Sequence, residues 1–155
     1  MKIVIGSDHA GVEYKEKLKE LVLSMGHQII DIGTNSSKSV DYPDFGEKGA
    51  LAVCRKEADL GILICGTGIG ISLAANKVKH IRAAVCWNKE TARLAREHNN
   101  ANILCMGARF VSIERAVRIA KVFLETPFSN DERHNRRVNK ITNIEERGKS
   151  CDCKK

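Results

Sequence analysis

The stretch Cys65-Gly66-Thr67-Gly68-Ile69-Gly70-Ile71-Ser72 joins an apolar run to a segment of helical pattern. Glycines at every second position let backbone N–H groups turn toward a bound anion, and a helix that follows adds the positive end of its dipole. The stretch lacks the lysine of a phosphate-binding P-loop. It also misses the dinucleotide fingerprint, because its third glycine falls two rather than three positions after the second. Cys65 stands ahead of the helix, a setting in which thiols act as bases or nucleophiles. The competing reading is a small buried residue that finishes a strand.

Four further groups carry chemistry-bearing side chains. Gly6-Ser7-Asp8-His9-Ala10-Gly11 puts a carboxylate beside an imidazole at another strand-to-helix turn. There Asp8 can orient His9, act on a hydroxyl or cap a helix, and His9 can donate to a phosphate or carry a proton. His98 and Asn99 close a helical stretch, where a histidine either does chemistry or interacts with the helix dipole. Arg109 follows the last apolar run and is either a site residue or a surface charge. Arg133 and Arg137 are spaced i, i+4, so they share a face and can clamp one phosphate or form a solvated basic strip.

The elements that must position these residues are legible as alternation. Apolar runs at Lys2–Gly6, Gln28–Ile32, Leu60–Cys65, Arg82–Cys86 and Asn102–Met106 have strand length. Between them, Tyr14–Met25, Phe45–Val53, Ile69–Val78, Thr91–Glu97 and Ser112–Leu124 have helical period. In the first of these, Leu18, Leu21, Val22 and Met25 form the apolar face, with Lys15, Glu16, Lys17, Lys19 and Glu20 on the other. Ser112 suits an N-cap, with Glu114 in the first turn. Strand alternating with helix predicts a doubly wound α/β sheet. Continuous hydrophobicity at Ile3–Ile5 and Ile62–Ile64 predicts central parallel strands, and ligands in such sheets bind at the carboxyl ends of strands. The polar stretch 35–39 is long enough to be a binding loop. Asp131–Arg147 carries apolar residues only at Val138, Ile141 and Ile144, the stripe of an arm that packs on a neighbour. Residues 1–147 thus read as one domain with a helical arm at 131–147, and 148–155 as a disordered tail.

Composition narrows the class. The chain has 155 residues, a net charge of +7, 43% hydrophobic and 29% charged residues, which suits one globular domain and excludes a disordered or collagen-like chain. No apolar run approaches the roughly 18–20 residues of a membrane span, and the N-terminus is too short for a signal segment. The six cysteines are scattered, as in a reducing compartment, so a cytoplasmic protein is expected. The positive charge suits an anionic partner or simple solubility. A nucleic-acid partner is not expected, because the basic residues alternate with acids and the single Trp, Trp87, has no aromatic company. Cys151-Asp152-Cys153 offers too few ligands for a closed zinc site.

Taken in order, Gly-Ser-Asp-His-Ala-Gly at 6–11, Asp-Tyr-Pro-Asp at 41–44, Cys-Gly-Thr-Gly-Ile-Gly at 65–70, Ala-Ala-Asn-Lys at 74–77, Arg-Glu-His-Asn at 96–99, Gly-Ala-Arg at 107–109 and Arg-His-Asn-Arg-Arg-Val at 133–138 resemble the ribose 5-phosphate isomerases of type B, in the family shared with galactose 6-phosphate isomerase. The resemblance implies a three-layer α/β/α sandwich around a five-stranded parallel, Rossmann-like sheet, and dimers or tetramers whose active sites are shared between subunits. It implies Cys65 as the base that moves a proton between adjacent sugar carbons and His98 as the group that opens the ring. Asp8 and His9 match substrate contacts, Tyr42 lines the sugar pocket, and Asn99 is a further polar contact. Gly66, Thr67, Gly68, Ile69 and Gly70 match the hole for the enediolate, with Thr67 relaying a proton or holding a substrate oxygen. Arg109, Arg133 and Arg137 match the phosphate grip, to which His9 adds. The family's mechanism uses no metal, and no cofactor is expected.

Some members carry a glutamate at the position matching Ile71, so Cys65 is here the candidate base of that loop. Asn130-Asp131-Glu132 stands where the family often has paired glycines, and the two carboxylates either weaken the hold of Arg133 on a phosphate or pair with another subunit. Trp87 has no role in this reading. The expected reaction is ribose 5-phosphate to ribulose 5-phosphate. The alternatives are a six-carbon substrate, galactose 6-phosphate or allose 6-phosphate, and a non-catalytic sugar-phosphate binder.

Overall fold

The computed structural model describes residues 1–147; the tail at 148–155, with its Cys151-Asp152-Cys153 tripeptide, lies outside the described residues. Five strands, β1 (Lys2–Ser7), β2 (Gln28–Asp31), β3 (Leu60–Cys65), β4 (Ala83–Val85) and β5 (Ile103–Gly107), form one sheet in the order β2-β1-β3-β5-β4. All neighbours run parallel, with Ile5 opposite Ile62 and Cys65 opposite Gly107. The central strands β1, β3 and β5 are buried on both faces, as their unbroken apolar runs require.

Six α-helices complete the described residues: α1 (Val12–Ser24), α2 (Tyr42–Cys54), α3 (Ile69–Ala75), α4 (Lys89–Asn99), α5 (Ile113–Glu125) and α6 (Glu132–Arg147), with a short 3-10 turn at His9–Gly11. Alternate residues of each strand feed two cores. Ile3, Ile5, Ile62, Ile64, Leu104 and Met106 pack with Leu18 and Val22 of α1, Ala92 of α4 and Phe123 of α5. Val4, Leu63, Cys65, Ile103 and Cys105 face the other way, onto Ala50 and Val53 of α2 and Ile71 and Ala75 of α3. The expected three-layer α/β/α sandwich is therefore present, and Cys65 points toward the α2–α3 layer. No described helix is long and apolar enough to cross a membrane.

Element boundaries follow local chemistry. Helix α4 starts two residues before the periodic stretch because Asn88 accepts from the Thr91 N–H at 2.8 Å in a capping box. Ser112 caps α5 as expected, accepting from the Arg115 N–H. Helix α2 starts at Tyr42, ahead of the periodic stretch, with Pro43 in its first turn, where a missing N–H costs nothing. Helix α3 ends at Ala75 rather than Val78, since the Asn76 side chain turns to bond both backbone groups of Ala83 at 2.8 and 2.9 Å.

Lys15 departs from expectation. Placed on the polar face of α1 by its charge, it is instead fully buried. Its position three residues before Leu18 puts it on the core side, and its ammonium reaches both carboxylate oxygens of Asp31 at 3.0 Å and the Asn35 side-chain oxygen at 2.6 Å. Helix α6 touches the rest of the chain chiefly at α4 and buries His134, while Ile141 and Ile144 stay 44% and 65% exposed.

Candidate active site

The carboxyl ends of β1 and β3 open onto a cavity of about 510 Å³. Cys65 closes β3, and its sulfur accepts the Gly68 N–H at 3.1 Å. Gly68 adopts a left-handed φ of +79°, and a Cβ there would lie 2.8 Å from the Met106 carbonyl carbon. Glycine is thus required for the chain to double back and aim that N–H at the sulfur. Thr67 accepts from the Ile69 N–H at 3.2 Å, which sets its hydroxyl at the entry to α3.

The walls come from neighbouring turns. Asp8 is buried and caps the short turn His9–Gly11, accepting the Ala10 N–H at 2.9 Å. His9 accepts the Val40 N–H on Nδ1 at 3.2 Å. That contact leaves Nε2 as the protonated nitrogen of a neutral ring. The Arg109 N–H donates to the Gly66 carbonyl at 3.0 Å, and its guanidinium lies over Gly66. The turn bearing Arg109 is braced by Tyr14, whose hydroxyl lies 2.8 and 2.7 Å from the Ala108 and Val111 carbonyl oxygens. The Tyr42 ring covers Gly70, where a Cβ would collide with it. Ala10 and Leu73 complete the lining without any advance signal beyond their place beside site residues.

One chain therefore gathers Asp8, His9, Tyr42, Cys65, Gly66, Thr67, Ile69, Gly70 and Arg109 around one cavity, with Gly68 just behind it. It does not bring His98, Asn99, Arg133 or Arg137 there. Helix α4 begins beyond the carboxyl end of β4 and runs back along the sheet for 11 residues, about 16 Å. Its last turn thus lies at the amino ends of the strands. There the His98 ring stacks on His134 of α6 at 4.1 Å between centroids. Asn99 borders a separate cavity of about 290 Å³ with Arg82 and Ile141.

His134 belongs to the Arg-His-Asn-Arg-Arg-Val motif but draws no role from the sequence. The structure places it at the centre of the second cluster, with Nδ1 2.7 Å from the Ser129 hydroxyl and Nε2 3.4 Å from Arg133. Burial, with His98, Arg133 and Arg137 nearby, pushes its pKa below the usual histidine value. Arg133 forms no ion pair with Asp131 or Glu132 within the described residues. Trp87 packs edge to face on Phe110 at 6.2 Å, away from the cavity. Among the described residues no three His, Cys, Asp or Glu side chains converge as a metal site would require.

The pattern of the family described as Ribose/Galactose Isomerase matches residues 3–141. Ribose-5-phosphate isomerase B of Escherichia coli is 45% identical over 146 residues, which is 94% of this chain and 97% of that protein. Among solved structures, ribose-5-phosphate isomerase B of Clostridium thermocellum superposes with a TM-score of 0.93 at 51% identity, over 96% of this chain and 99% of that one. The Mycoplasma genitalium ribose-5-phosphate isomerase B, solved with bound ribulose-5-phosphate, gives a TM-score of 0.88 at 42% identity, over 94% of this chain and 96% of that one. With the strand-end cavity and its thiol on one side and these likenesses on the other, the chain belongs to the ribose/galactose isomerase family of sugar-phosphate isomerases.

Proposed function

We propose that the chain interconverts ribose 5-phosphate and ribulose 5-phosphate in a site completed by a second copy of itself. The observation that carries this reading is the Cys65 sulfur, held by the Gly68 N–H and open to a cavity that also holds Asp8, His9, Thr67 and Arg109. An aldose becomes a ketose when a base takes the proton from carbon 2 and returns it to carbon 1, while a hydroxyl proton passes from oxygen 2 to oxygen 1. Cys65, as thiolate, is that base. The enediolate formed between the two transfers carries charge on oxygen, which the N–H groups of the Gly66–Gly70 loop offset as it develops. Thr67 holds or relays the hydroxyl proton.

The cyclic sugar must first open, and His98 of a second copy supplies the acid–base group. Arg109 with His9 on one side, and Arg133 with Arg137 from that second copy on the other, grip the phosphate. Asn99 adds a polar contact. The separation of His98 from Cys65 within one chain supports this division, because a single chain offers the base without the ring-opening group. The exposed Ile141 and Ile144 of α6 give the arm an apolar face to pack on that copy, as a homodimer or within a tetramer. The base works only while it stays a free thiol, which suits the reducing cytoplasm.

Steady-state kinetics with ribose 5-phosphate, allose 6-phosphate and galactose 6-phosphate test the reading. The highest kcat/KM is expected for ribose 5-phosphate. A higher value for either six-carbon sugar reassigns the substrate within the same chemistry, and no turnover of any of them makes the chain a binder.

A further inference from the structure

Lys15 is among the largest fully buried side chains of the described residues, yet it is a basic residue and does not line the cavity. A buried ion pair is a poor source of stability, since apolar side chains of similar volume commonly serve as well. Its best-attested return is geometric: it fixes one arrangement where apolar packing would allow several. The partners of Lys15 say which arrangement. Asp31 ends β2, and Asn35 lies four residues into the loop that leads to α2. The lysine stem runs under Gly33, where a Cβ would lie 2.7 Å from the Lys15 Cδ and equally close to the Ser7 backbone nitrogen.

The loop from Gly33 to Asp41 has few other ties. Gly33 donates to Asp31 at 3.1 Å and Thr34 to the Ser7 carbonyl at 3.1 Å, both at the loop's start. Ser36 and Lys38 donate only to side chains within the loop. The next tie to the body is the Val40 N–H on His9 Nδ1. The loop is thus held at one end by the Lys15 ammonium and at the other it holds an imidazole of the cavity. We propose that Lys15, acting through Asn35, is a positioning residue of the substrate site: it sets the path of residues 33–41 and thereby the orientation and tautomer of His9. The inference rests on the assignment of the cavity as a sugar-phosphate site, but its geometric half does not depend on turnover.

Two variants test it. Lys15→Met keeps the buried stem, and Asp31 retains Lys19 at 2.9 Å and the Gly33 N–H as partners. Asn35→Ala removes only the loop end of the contact and leaves α1 and β2 intact. Each is expected to raise KM for ribose 5-phosphate by roughly tenfold with kcat within about twofold, the signature of lost binding rather than lost chemistry. Nitrogen-15 shifts of the His9 ring give the second readout. The unmodified protein should show Nε2 protonated and Nδ1 as acceptor, and both variants a mixture of tautomers. Lys19→Met, which takes a partner from Asp31 but does not touch Asn35, should change neither readout. Wild-type KM and ring shifts in Asn35→Ala overturn the inference, as does Lys19→Met reproducing the effect of Lys15→Met. If the unmodified protein turns over none of the sugar phosphates, the functional assignment falls while the ring shifts still decide the positioning role.

Discussion

Cys65 and His134 are the residues at which single substitutions separate chemistry from structure. Cys65→Ala removes the sulfur from the cavity and leaves the loop's backbone contacts with Arg109 and Gly107 in place. The expected outcome is a fall in kcat of about 10²–10⁴-fold, the range a positioned base supplies, with unchanged circular dichroism and Tm. Near-normal turnover would remove the thiol from the mechanism. At His134 the measurement is stability against pH. Burial and the positive charges of Arg133 and Arg137, with His98 alongside and only Asp131 opposing, hold its folded pKa below the ordinary 6.5. Between the two values the unfolded chain binds more protons, so unfolding free energy rises with pH across that window. The contribution is whole above 6.5 and is lost as pH falls through the folded value. Tm should therefore drop more in the parent than in His134→Asn between about pH 7.5 and about pH 5.5, and equal drops would assign the effect elsewhere.

At the scale of elements, the turn from β3 into α3 is the most constrained. Gly68→Ala forces a side chain into a left-handed position and against the Met106 backbone, which cannot retreat without moving β5. A loss of about 1–3 kcal/mol in urea unfolding is expected, together with a lower kcat because the N–H aimed at Cys65 moves. A wild-type Cm would show that the turn relaxes freely. This turn was also the most legible part of the sequence. The run Leu60–Cys65 is buried on both faces and so is apolar throughout, and the glycines after it announce a backbone that approaches an anion or another chain segment. Legibility failed where a local rule met a tertiary partner. The period of α2 becomes visible only at Phe45 although the helix starts at Tyr42 with Pro43 in its first turn, and Asn76 ends α3 through a bond to β4 that no window of sequence contains. Lys15 reads as solvated because its partners lie 16 and 20 residues away. Asp8, His9, Cys65 and Arg109 were legible because doubly wound sheets put chemistry-bearing residues at strand ends, whereas Tyr42 came only from the family resemblance and Ala10 and Leu73 had no advance signal. The role of His134 was not legible, since it is set by a stacking contact between α4 and α6.

At the scale of the molecule, the direction of α4 is what calls for a second copy in the proposed site. A parallel strand and the helix that returns from it place their carboxyl ends at opposite edges of the sheet, so Cys65 and His98 cannot meet in one chain. Coexpression of Cys65→Ala with His98→Ala checks the shared site. Each variant alone should be inactive, while random pairing gives mixed dimers with one intact site apiece, about one quarter of parental activity. No recovery in a demonstrated mixed dimer would overturn the division. Ile141→Asp and Ile144→Asp on the exposed face of α6 should shift the particle toward the monomer in sedimentation and lower activity in parallel. In the proposed shared site, the returning helix ties the rate law to mass action. Dilution past the dissociation constant of that pair is then expected to silence chains that remain folded, so that turnover per chain depends on abundance and output rises more steeply than the number of copies made.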